Sequence, residues 1–179
     1  MRLIVSALAV AAIPFVAAGC GGGASAEEKW AETVCTDVSD WKSRLQQATD
    51  DISAELQSPG AGTLAAIEAD VRKAVDATSE LADELKALDA PMTESGAQAK
   101  QQLDALASQL EGTVNKARQT LETLPEGADV AATVEKLAPL APALQSLALS
   151  TSSTLEAVQA QGADLKEGFD KADSCEELR

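Results

Sequence analysis

Between residues 27 and 179, apolar positions recur at alternating steps of three and four, the spacing that lays a stripe along one side of an α-helix. From Glu27 to Gln57 the stripe is Trp30, Val34, Val38, Trp41, Leu45, Ala48, Ile52 and Leu56. The run Ser58-Pro59-Gly60-Ala61-Gly62 interrupts it, since proline and glycine both disfavour a helix interior. A second stripe, Leu64, Ile67, Val71, Ala74, Thr78, Leu81, Leu85 and Leu88, predicts a helix from Thr63 to Asp89, closed off by Pro91. Thr93 is placed to cap a third helix with its hydroxyl. The ladder of that helix is Ala99, Leu103, Leu106, Leu110, Val114, Ala117, Leu121 and Leu124, with one stutter near Leu110.

The last segment begins near Asp129 with Val130, Val134 and Leu137, and then meets Pro139 and Pro142. Each proline removes a backbone donor and clashes with the preceding turn, so a kink or break is predicted there. Beyond it the stripe resumes as Leu144, Leu147, Thr151, Leu155, Val158, Gly162, Leu165, Phe169 and Ala172. Gly162 falls on the stripe, which predicts one helix running straight through it, at a cost of about 1 kcal/mol relative to alanine. Long amphipathic helices with short connections pack as antiparallel neighbours. The expected fold is therefore all-α: an up-down-up-down antiparallel four-helix bundle, its last helix kinked or broken at Pro139 and Pro142.

Composition sharpens this picture. Hydrophobic residues make up 45% of the 179-residue chain but aromatic residues only 2%, so the core is aliphatic and alanine-rich, which suits closely packed helices better than strands. The net charge of −15 repels nucleic acid and anionic headgroups. The absence of histidine removes the usual general base near neutral pH, His-based triads, and the Glu-x-x-His pairs of di-iron bundles. No enzymatic activity, metal or other cofactor is expected. Acidic clusters at Asp50-Asp51 and at Asp170, Asp173, Glu176 and Glu177 read as solvated helix faces; calcium binding is the alternative, but no EF-hand loop accompanies them.

The first residues carry a different signal. Arg2 is the only charged side chain before Glu27, and Leu3 to Val16 is nearly all apolar, the layout of an export signal and too short for a membrane span. The segment Ala17-Ala18-Gly19-Cys20 resembles the lipobox of bacterial lipoproteins. That resemblance implies diacylglyceryl attachment at the Cys20 thiol, cleavage after Gly19, and a lipid anchor on the extracytoplasmic face of the cell membrane. The position three before the cysteine, usually leucine in that family, is Ala17 here. The chain then divides into a signal peptide (1–19), a lipidated cysteine with a flexible tether (20–26) and a helical body (27–179). Loss of residues 1–19 takes Arg2 away and leaves a side-chain charge of −16. The body resembles alanine-rich helical lipoproteins of high-GC Gram-positive bacteria in its composition and in the spacing of Trp30, Cys35 and Trp41. That second resemblance implies no activity.

With Cys20 lipidated, Cys35 and Cys175 remain, and an oxidising compartment makes a disulfide between them the expectation, with two buried free thiols as the alternative. An even number of long antiparallel helices returns the chain end to its start, which brings these cysteines together. Trp30 and Trp41 share a helix face and, with Phe169, mark either core packing or an apolar ligand slot. Ser150 to Thr154 reads as small residues that permit close helix packing, with O-glycosylation as the alternative. The function expected is a non-catalytic binding or interaction module anchored to the membrane, its partner another envelope protein or the cell wall. The alternative is a carrier or sensor of a small apolar ligand held between the helices.

Overall fold

A computed structural model describes residues 23–58, 60, 62–123 and 130–178. Among these residues the chain is all-helical, with no strand. Its α-helices are α1 (Ala26–Gln57), α2 (Thr63–Ala87), α3 (Glu94–Glu122), α4 (Val130–Leu137), α5 (Leu140–Gln159) and α6 (Ala163–Lys171), followed by a closing 3-10 turn (Asp173–Leu178).

Local chemistry sets most of these bounds. At the head of α1, Ser25 and Glu28 form a capping box: the Glu28 amide donates to Ser25 Oγ at 3.0 Å and the Ser25 amide to Glu28 Oε2 at 3.4 Å. Gly62 stands ahead of α2 at φ +102°, a left-handed conformation that a side chain would strain. Thr93 caps α3 by accepting the Gly96 amide at 3.0 Å. The chain breaks between α4 and α5 at Ala138 and Pro139, while Pro142 lies in the first turn of α5, where a missing backbone donor costs nothing.

The helix read straight through Gly162 is corrected. α5 stops at Gln159, and Gly162 stands in extended conformation as the cap of α6. Breaking there removes a glycine from a helix interior and lets two partners be served: α5 packs on α3, whereas α6 packs on α1. The approach of α6 is close at Gly168, where a Cβ would stand 2.8 Å from the Glu27 carbonyl carbon. Elsewhere α1 packs on α2 and α2 on α3.

Cys35 and Cys175 are joined by a disulfide with a Cα–Cα distance of 5.0 Å. The tail of the chain is further fastened to α1 by Ser174, whose hydroxyl donates to the Glu32 carbonyl at 2.9 Å, and by the Ser39 hydroxyl, which donates to Glu177 Oε2 at 3.0 Å. Two apolar clusters form the interior. The larger gathers Trp30, Val34 and Trp41 of α1 with Leu81 and Leu85 of α2, Leu103 and Leu106 of α3, Val158 of α5 and Phe169 of α6. The smaller holds Ile67, Val75, Val114, Ala117, Leu121, Leu137 and Leu140, with Ile52 and Val71 against it, and contains no aromatic ring.

Candidate ligand groove

The smaller cluster does not fill the space its helices enclose. A half-open groove of about 450 Å³ lies beside it, within the size range of small-molecule sites. Leu45, Ala48, Ile52 and Leu56 of α1 form one wall; Ile67, Val71 and Ala74 of α2, Ala117 of α3, Val134 and Leu137 of α4, and Leu140, Leu144 and Ala148 of α5 complete it. Ala48, Ala74 and Ala117 occupy ladder positions on three successive helices, so the core stripe presents methyl stubs where leucines would meet. The proline break sets α4 and α5 as separate walls of the same opening. Leu56 and Val134, at the rim, are 42% and 36% exposed.

Among the described residues no Asp, Glu, Lys or Arg lines the groove. Its hydroxyl groups are turned back on their own helices: Thr49 donates to the Leu45 carbonyl at 2.9 Å, Ser53 to the Thr49 carbonyl at 2.8 Å, and Thr113 to the Gln109 carbonyl at 3.2 Å. The donors are thereby satisfied internally, and the surface that the described residues leave to a ligand is apolar apart from Gln46 and Gln145. Such a surface favours hydrocarbon by burial of apolar area alone, on the order of 25 cal/mol per Å².

The aromatic residues singled out in the sequence stand elsewhere. Trp30 and Phe169 meet edge to face, ring centroids 6.0 Å apart and planes at 87°. Trp41 is buried in the same cluster and donates from Nε1 to the Thr78 hydroxyl at 3.1 Å. The three are brought into one packed core, and none of them lines the apolar groove. Size is the physical reason: these rings fill volume, while the alanines leave it. The sequence signal for the groove was the row of alanines within the stripes.

A second, polar cleft of about 210 Å³ lies between α1 and α2, lined by Asp37, Asp40, Glu80, Glu84 and Arg44. Arg44 pairs with Glu80. Burial, and then the neighbouring Asp40 carboxylate, push the Asp37 carboxyl above its ordinary range. Glu84 is raised chiefly by burial, with Asp37 and Glu80 adding to it and Arg44 opposing. Among the described residues no group of three or more His, Cys, Asp or Glu is arranged to hold a metal ion.

At the tail, Asp170 pairs with Lys166 at 2.5 Å. In the Ser150–Thr154 run, Ser150 donates to Gln109 Oε1 at 3.0 Å, Thr151 is buried, and Ser152 and Ser153 are exposed. Cys20, the lipidation position, lies outside the described residues. No helix among the described residues is long and apolar enough to cross a membrane. Set against known proteins, the chain matches no family model, no curated protein and no solved structure.

Proposed function

We propose that this chain is an exported lipoprotein, anchored by lipid at Cys20 to the extracytoplasmic face of the cell membrane, whose helical body holds a small apolar ligand in the groove beside Ile52 and Leu144. The body is an antiparallel four-helix arrangement, with α4 and α5 sharing the fourth layer and α6 closing onto α1. Cross-pairs support that orientation: Lys86 reaches Glu111, whereas Asp76, earlier on α2, faces Arg118, later on α3. The observation that carries the ligand reading is the groove of about 450 Å³ without one charged lining residue among the described residues, in a chain of which 24% is charged. Burial of hydrocarbon is the one strong interaction such a wall offers. The role is non-catalytic.

The test uses the intact lipoprotein in membrane discs with a diazirine-bearing alkane. Photolysis is expected to label peptides containing Ile52 or Leu144 in preference to those containing Trp30. The variant Ala148→Phe, which fills the groove, is expected to suppress that labelling. Uniform labelling of the surface, unchanged by Ala148→Phe, would refute the reading.

A protein partner is the second reading. Leu149 of α5 is 73% exposed and lies outside the groove, which gives another envelope protein, or a protein of the cell wall, an apolar contact. Crosslinking on intact cells through a photoreactive residue at position 149 tests it, and recovery of the uncrosslinked chain alone would reject it.

A further inference from the structure

The groove also discriminates by charge, and this inference rests on the ligand reading given above. We propose that its occupant is a single-chain amphiphile with an uncharged head, such as a monoacylglycerol, and that a fatty-acid anion with the same tail is excluded.

Three observations converge. First, no cation lines the groove among the described residues, and the chain has no histidine and only 14 lysines and arginines against 29 acidic residues. A carboxylate drawn into the mouth would lose water without gaining a counter-charge, and it would do so in the negative field of the whole protein. Second, the wall formed by the end of α4 and most of α5 is neutral by sequence: no ionisable side chain occurs from Leu137 to Leu155. Third, the polar groups left at the opening suit a neutral head. Gln46 of α1 and Gln145 of α5 both line the groove, both are exposed, and neither amide has a hydrogen-bond partner among the described residues. A primary amide donates and accepts at once, which matches an ester or a hydroxyl. An anion, by contrast, calls for donors backed by positive charge.

The experiment uses the intact lipoprotein in membrane discs at about pH 9, where a carboxylic acid is ionised. Two photoreactive probes share one diazirine-bearing tail: a monoacylglycerol and the free fatty acid. Labelling of groove peptides is normalised to that of exposed peptides. The monoacylglycerol is expected to label the groove at least about tenfold more than the fatty acid, the gap that an unpartnered charge of 1.4 kcal/mol creates. The exposed substitution Gln145→Lys supplies the missing cation. It is expected to raise fatty-acid labelling several-fold and to narrow the gap between the two probes. Equal labelling by the two probes overturns the proposal, as does a Gln145→Lys variant that favours neither. If the neutral alkane labels the groove and neither amphiphile does, the inference fails while the groove reading stands. Failure of the alkane itself removes the groove reading instead.

Discussion

Along α1, the stretch from Trp30 to Trp41 and the stretch from Ala48 to Leu56 obey the same three-four spacing, yet they face different interiors. The first meets α2, α3, α5 and α6 in a packed cluster with three aromatic rings, closed by a disulfide. The second meets an aromatic-free cluster and an open groove. Periodicity is common to both, so periodicity is not what separates them. Side-chain volume on facing stripes separates them, together with the continuity of the layer that covers them. Rings and leucines interlock at the first end, while alanines and the proline break between α4 and α5 leave space at the second.

The contrast breaks most visibly in the aromatic end. Trp41→Ala or Phe169→Ala is expected to cost about 3–5 kcal/mol in denaturant unfolding, as removal of a fully buried ring does. Ile52→Ala, on the groove wall and only partly buried, is expected to cost under about 1.5 kcal/mol while lowering alkane labelling. Equal costs would mean that the two ends are packed alike.

Removing the covalent closure comes next. Cys35→Ser with Cys175→Ser is expected to lower stability by about 2–4 kcal/mol, read as a fall in melting temperature, with groove labelling retained. Loss of labelling under folding conditions would show that the clasp shapes the groove from a distance of about 26 Å along α1.

Added volume gives a smaller and more diagnostic effect. Ala82→Leu, in the packed end, is expected to cost about 1–3 kcal/mol. Ala148→Leu, in the groove wall, is expected to fall within about 0.5 kcal/mol of the parent, because the new methyls enter existing space.

The smallest expected effect is one of pH. Asp37 and Glu84 have carboxyl pKa values raised in the folded state, so the folded protein holds these protons more firmly than the unfolded chain does. Their stabilising contribution is present below the ordinary carboxylate range and is lost as pH rises through their raised values. Asp37→Asn with Glu84→Gln should therefore flatten the decline in denaturant midpoint over that window, leaving the groove end untouched. An unchanged slope would exclude the cleft as its source.

Much of the frame was legible in the stripes and caps. The helix starts at Thr63 and after Thr93 and the break at Pro139 follow from backbone chemistry, and the bond between Cys35 and Cys175 joins the two cysteines left once Cys20 is set aside. The break at Gly162 is not visible in the stripe, because a stripe reports which face is buried and not whether the backbone stays helical; two partner helices in different places decide it. The groove escaped for a related reason. Ala48, Ala74 and Ala117 each look like ordinary core positions within their own helices, and the deficit in volume exists only once three helices bring them together. The tryptophans drew attention for the opposite property, their bulk.

The bridge between Cys35 and Cys175 spans 140 residues, and α2 through α6 lie wholly inside the loop it closes. A chain made from its N-terminus therefore presents Cys35 before any of these helices exists, and its partner Cys175 only after all of them. Closure therefore waits for the whole helical body: a chain cut short before Cys175 keeps Cys35 without this partner, and the bond, once made, certifies that every helix between the two has been synthesised.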